Sequence, residues 1–148
     1  MEITERISRG GASESAIRDF EARLGVVLPE DYRRFLATVN GGRPKPRNFD
    51  AANGDDGSLV HFFFTLDPDA PHYQLTRKIE TYTGRVPDRL LPIGCDDFGN
   101  LVLLDVGGAK PGAVYFWDHE RENPDGDPYW DNISTVASSF TEFVNSLY

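Results

Sequence analysis

A chain of 148 residues has the length of one domain and can bury roughly 70% of the surface it exposes when unfolded. Hydrophobic residues at 39%, together with 14 glycines, place it in the ordinary globular range and exclude a disordered tail or linker. Fifteen Lys or Arg against 24 Asp or Glu leave a formal charge of -9, so the footprint of a nucleic-acid binder or an anionic-membrane binder is absent and a basic partner is favoured.

The single Cys95 can neither close an intramolecular disulfide nor build a thiolate zinc site, which fits a reducing compartment. Glu2 to Gly11 is polar and holds no signal-peptide core. The longest apolar runs, Phe62 to Phe64 and Leu101 to Leu104, fall far below the ~20 residues that cross a bilayer. The expectation is one cytoplasmic domain over residues 1–148, not exported and not in a membrane.

In chain order, Ser13 precedes Ile17, Phe20 and Leu24 at helical spacing, and Gly25 comes next, where a left-handed terminator is wanted. The pattern predicts a helix over 14–24. Pro29 opens a second helix, with Glu30 and Asp31 at the positive end of its dipole and Tyr32, Phe35, Leu36 and Val39 on one face. Asn40, Gly41 and Gly42 stop it. Both apolar stripes must pack on something later in the chain.

The middle of the chain is strand-like. Arg47 to Ala51 and Leu59 to Leu66 flank the punctuation of Asn53 to Gly57 and predict a hairpin. Leu75, Ile79 and Tyr82 predict a short helix ending before Gly84 and Pro87. Leu90 to Gly94, Asn100 to Asp105 and Ala113 to Asp118 are three further apolar runs joined by turns at 96–99 and 107–112. Connections this short imply antiparallel neighbours. Ser139 and Glu142 form a capping box ahead of Phe140, Phe143, Val144 and Leu147, the stripe of a last helix.

Charge is uneven along this order. Residues 1–48 carry nine Lys or Arg and seven Asp or Glu, whereas residues 49–148 carry six and 17, a balance of -11. The acid concentrates in predicted loops: Asp55 and Asp56, Asp67 and Asp69, Asp96 and Asp97, then Asp118, Glu120, Glu122, Asp125, Asp127 and Asp131.

Several chemistries can be weighed against these residues. Cys95, Asp118 and His119 could be read as nucleophile, orienter and base, but nothing nearby lowers the thiol pKa, and a lone cysteine at a strand end reads better as a small buried residue. Asn123, Asp125 and Asp127 alternate like a calcium loop, yet Pro128 stands where glycine is needed and Ser134 where a bidentate glutamate is needed. Asp118, His119, Glu120 and Glu122 lack the spacing that sets two imidazoles on one face, and His61 and His72 lie far off in the chain. Asp97, Phe98 and Gly99 spell the magnesium-binding tripeptide of protein kinases, but without a Gly-rich loop or an HRD segment they read as a hairpin turn. No catalytic residue, metal or cofactor is expected. There remains a surface on which Tyr115, Trp117, Tyr129 and Trp130 flank acidic loops, as in a recognition face where aromatics anchor and charges steer. The alternative is that Trp117 and Trp130 belong to the core.

Four segments resemble the SUKH superfamily of bacterial immunity and cell-wall-regulator-like (Smi/Knr-like) domains. They are FEARLGVVLPEDYRRFLATVNGG from Phe20 to Gly42, LLPIGCDDFGNLVLLDV from Leu90 to Val106, GAVYFWDHE from Gly112 to Glu120 and SSFTEFVNSL from Ser138 to Leu147. They stand in the family's order across nearly the whole chain. The resemblance implies an α+β fold, a mainly antiparallel sheet with two N-terminal helices and a C-terminal helix packed on it. It also implies a role, binding and neutralising a cognate toxin of a contact-dependent or polymorphic system, or else a regulatory or scaffold role without a toxin. The family's motifs are mostly structural and assign no binding site. From the acidic loops themselves, the expected partner-binding residues are Asp55, Asp56, Asp96, Asp97, Trp117, Asp118, Glu120, Glu122, Asp125 and Asp127, facing a protein toxin with a basic surface such as a nuclease.

Overall fold

The computed structural model describes residues 1–51 and 57–148. In chain order these form β1 (Glu2–Glu5), α1 (Glu14–Leu24), α2 (Glu30–Thr38), β2 (Arg43–Lys45), β3 (Asn48–Phe49), β4 (Ser58–Leu59), β5 (Phe62–Phe63), α3 (Leu75–Tyr82), β6 (Leu90–Cys95), β7 (Leu101–Asp105), β8 (Val114–Trp117), β9 (Ile133–Ala137) and α4 (Phe140–Ser146). The fold is α+β. Strands β5-β6-β7-β8-β9 make one sheet in that order, every pair antiparallel, and β1-β2 and β3-β4 make two small antiparallel ribbons.

The helix signals act locally as expected. Ser13 is extended and its Oγ accepts the Ala16 N–H at 3.1 Å, while Gly25 closes α1 at φ 67°, a value that costs glycine nothing. Pro29 stands at the N-cap of α2. Ser139 Oγ accepts the Glu142 N–H at 3.0 Å, and the Glu142 carboxylate turns back to the Ser138 N–H at 2.8 Å; these bonds to Ser138 hold its carboxyl below the ordinary range.

Between α1 and α2 the chain reverses around Glu21. Its carboxylate accepts the Leu28 N–H at 2.7 Å and both Nε and a terminal nitrogen of Arg33, at 3.0 and 2.9 Å. Arg33 reaches Glu14 as well and keeps that carboxyl below its usual range. One guanidinium therefore ties two turns of α1 to α2.

Helices cover both faces of the main sheet. Phe63 and Phe64 are consecutive in extended backbone and point to opposite sides. Phe63 meets Phe35 of α2 at 5.2 Å between ring centroids and Phe140 of α4 at 5.8 Å. Phe64 lies under the ammonium of Lys78 in α3, and Tyr82 of α3 meets Trp117 of β8 edge to face at 5.6 Å. Burying each such ring contributes about 1.5–3 kcal/mol.

The sheet differs from the predicted strands in three places. Leu59 to Leu66 is not one strand: the Val60 N–H bonds Arg47 and the His61 N–H bonds Cys95, so the chain leaves the β3-β4 ribbon and joins the main sheet between these residues. Strands β1 and β2 are not among the predicted elements, because EITE and RPK are short and polar and gain their pairing only from each other. Strand β9 is not among them either: ISTVA lacks strict alternation and is held at the sheet edge by its register on β8. The punctuation at Asn53 to Asp56 lies outside the described residues.

Replacing Glu21 with Ala leaves the Leu28 N–H and the Arg33 guanidinium without their acceptor. The expected loss of stability is about 2–3 kcal/mol by urea denaturation, against less than about 0.5 kcal/mol for Glu30→Ala, whose carboxylate makes only an exposed pair with Arg34.

Candidate functional site

The register of the sheet gathers most of the predicted acidic residues at one end. Leu101 pairs with Trp117, and Trp117 with Ile133, so the β6-β7 turn and the long β8-β9 connection leave the sheet side by side. The two are bonded together: Asn100 Oδ1 accepts the backbone N–H of His119 at 3.0 Å and contacts its Nδ1 at 2.7 Å. That amide oxygen only accepts, so the imidazole carries its proton on Nδ1. The β3-β4 ribbon reaches the same end, where Ser58 Oγ donates to Asp96 at 2.9 Å and Arg47 lies 3.4 Å from Asp97.

Asp96 organises this end. It is 4% exposed, and its carboxylate accepts the N–H of Phe98, the N–H of Asn100 and the side-chain amide of Asn100, each at 2.8 Å, besides Ser58. Asp105, 1% exposed, serves the turn at the opposite end, accepting backbone N–H groups of Gly107, Gly108 and Lys110. Both carboxylates replace the ladder bonds that the chain gives up on reversing.

The long connection is held as firmly. The Asp118 N–H donates to the Asn132 carbonyl at 3.0 Å and Asn132 Nδ2 to the Asp118 carbonyl at 2.9 Å, closing its two ends. Asp118 caps a 3-10 turn at His119–Arg121 through the Glu120 N–H, Glu122 pairs with Arg85 at 2.5 Å, and Tyr129 donates to the Arg121 carbonyl. Asn123 accepts the Asp125 N–H at 3.0 Å in a local turn.

The predicted partner-binding residues therefore separate. Trp117 is fully buried beneath Tyr82 and Arg85, with its Nε1–H meeting no acceptor among the described residues, so it belongs to the core and not to a surface. Asp96 is likewise withdrawn, because the turn consumes its lone pairs. Asp97 is exposed but engaged by Arg47 and by His61, whose other ring nitrogen meets Tyr73 Oη at 3.1 Å. Asp118 and Glu122 face solvent only in part. Glu120, Asp125 and Asp127 are exposed and form no ion pair among the described residues. Asp55 and Asp56 lie outside the described residues. Trp130 is half exposed, resting edge to face on Tyr115 at 5.3 Å.

Sequence reasoning misses Phe98, Asn100, Asn132 and His61. For Phe98 a signal is present, a large apolar side chain inside an otherwise polar turn, DDFGN. For the other three the bonds span 12 to 19 residues of chain, and no local pattern carries them.

Cys95 is half-buried in β6, paired across the ladder with Phe62 and Leu101, and burial pushes its thiol up to about 11. His119 engages Asn100 rather than Cys95. Cys95, Asp118 and His119 are thus not joined as a hydrogen-bonded triad. Among the described residues no three His, Cys, Asp or Glu side chains are grouped to hold a metal ion, and no helix is long and apolar enough to cross a membrane.

The sequence model of the SMI1/KNR4 family (SUKH-1) matches residues 11–146. The chain belongs to that family. It is also 31% identical to the SPbeta prophage-derived uncharacterized protein YokK of Bacillus subtilis (strain 168), an alignment covering 88% of this chain and 72% of that protein. In this SUKH-1 chain the matched residues include the Glu21–Arg33 ion pair between the first two helices and the buried turn carboxylates Asp96 and Asp105.

Asp96→Ala is expected to cost about 3 kcal/mol in urea denaturation, whereas Asp125→Ala and Asp127→Ala stay within about 0.5 kcal/mol of the parent. For Cys95, a raised folded pKa means that its contribution to stability is intact below about 9 and is lost as pH climbs toward about 11. At pH 8 the folded protein holds about a hundredfold less thiolate than an ordinary cysteine, so iodoacetamide should alkylate it at least about tenfold more slowly than in urea. Equal rates would mean a thiolate that burial does not suppress.

Proposed function

We propose that this SUKH-1 protein is a bacterial immunity protein. It acts in the cytoplasm by binding a cognate toxin of a contact-dependent or polymorphic system, and performs no chemistry of its own. The observation that carries the reading is the acidic end of the sheet. Glu120, Asp125 and Asp127 stand exposed, with no ion pair among the described residues, on a connection whose backbone is pinned by Asn132, Asn100 and the Glu122–Arg85 pair. Fixed charges of one sign on a pre-formed surface raise the association rate with a partner of the other sign and lose little entropy on docking. A toxin with a positive groove for phosphates, such as a nuclease, offers that complement.

Further support is chemical and genetic. The one thiol is suppressed by burial and the His119 imidazole is committed to Asn100, so neither is poised for catalysis. The similar protein of Bacillus subtilis is described as prophage-derived.

Protection calls for a Kd on the order of 1 nM or below, about -12 kcal/mol. The test pairs this protein with the product of a neighbouring toxin gene, by co-expression and by titration. Survival should require the immunity gene. The combined Glu120→Lys, Asp125→Lys and Asp127→Lys variant should raise Kd at least about tenfold, chiefly through the association rate, with an unchanged melting temperature. Unchanged affinity removes this connection from the interface. Equal killing with and without the gene removes the immunity reading, and stable binding to a housekeeping protein instead would mark a regulatory or scaffold domain.

A further inference from the structure

We infer that Phe98 is the apolar anchor of the partner-binding end, inserting into a pocket on the bound protein that is bordered by basic side chains. The inference rests on the proposed toxin-binding role and adds the docking residue and the kind of pocket it needs. Of the ten phenylalanines in the chain, Phe98 is the one that faces solvent, 68% exposed at the tip of the β6-β7 turn. The turn itself does not ask for a phenyl ring. Its geometry comes from the Asp96 carboxylate, from Gly99 at φ 94° and from Asn100, and position 98 supplies only a backbone N–H. An aromatic side chain held out in water on a fixed backbone has the features of an interface hot spot, a large apolar surface whose ordering has already been done.

The tip is rigid from three sides. Asp96 bonds Phe98 and Asn100 from within, Ser58 of β4 joins the same carboxylate, and the His119 ring packs within 3.3 Å of where a Cβ on Gly99 would sit. Asp97 precedes the ring in sequence and the Glu120 carboxylate belongs to the abutting connection. These surroundings choose among occupants. A second copy would bring two acidic ends together, and an anionic bilayer would be repelled by the same charge. A protein whose apolar pocket is ringed by Lys or Arg satisfies both the phenyl ring and the carboxylates around it.

The experiment places a photoreactive benzophenone amino acid at position 98, and separately at Glu120 and at Val27, in full-length protein expressed in its native host. Crosslinked products are identified by mass spectrometry. The expected result is one basic protein captured from positions 98 and 120 and not from position 27, which is exposed on the α1-α2 connection. With that protein purified, Phe98→Ala should weaken binding at least about tenfold at unchanged melting temperature, and Phe98→Tyr should keep most of it. Capture from position 120 but not 98, or unaltered affinity in Phe98→Ala, overturns the anchor and leaves the acidic-surface reading standing. Capture of an acidic protein overturns the stated pocket chemistry, and capture from neither 98 nor 120 overturns both readings together.

Discussion

Backbone N–H groups that lose their partners wherever the chain reverses must find an acceptor, and in this fold one half-buried and two buried carboxylates supply it. Glu21 receives Leu28 between the first two helices, Asp96 receives Phe98 and Asn100 at one end of the sheet, and Asp105 receives Gly107, Gly108 and Lys110 at the other. An unsatisfied buried N–H costs about 1–3 kcal/mol, and a charged acceptor forms the stronger class of hydrogen bond. Each of these acids therefore sets where an element stops and the angle at which the next one leaves. Asp96 does most, because through Ser58 and Asn100 it couples the β3-β4 ribbon, the β6-β7 turn and the start of the β8-β9 connection.

This division of labour changes how the acidic composition should be read. A balance of -11 over residues 49–148 suggests a uniformly negative surface, yet the carboxylates are of three kinds. Asp96 and Asp105 are interior parts of turns. Asp97 and Glu122 are largely answered by Arg47 and Arg85. Among the described residues of the proposed set, Glu120, Asp125 and Asp127 alone are both outward and without an ion pair, and they sit on a connection that the first two kinds hold still. These three charges lie on the connection that abuts a fixed aromatic tip through the Asn100–His119 bond.

Membership of the SMI1/KNR4 family fits this arrangement. The match over residues 11–146 takes in the helix clasp, the turn carboxylates and the β8-β9 connection alike. In this chain the residues that fix the turns are distinct from the exposed acids of the β8-β9 connection, so charge there can change at little cost to the architecture, because surface substitutions away from caps and buried bonds alter stability little.

What the amino-acid sequence determined by itself was the local part. Ser13, Gly25, Pro29 and the Ser139–Glu142 box act within four residues of where they stand, and helical or extended periodicity arises from the neighbouring side chains. The helices, the β6-β7-β8 meander and the α+β class were legible for that reason. Tertiary structure alone decided the rest. EITE became a strand by meeting RPK some forty residues on, ISTVA by lying along β8, and the run from Leu59 to Leu66 was cut where it changed partners. It also decided which tryptophan was core and which acid was free. A side chain's exposure depends on what folds over it from elsewhere in the chain, and a carboxylate's charge counts outward only when no distant amide or guanidinium has claimed it.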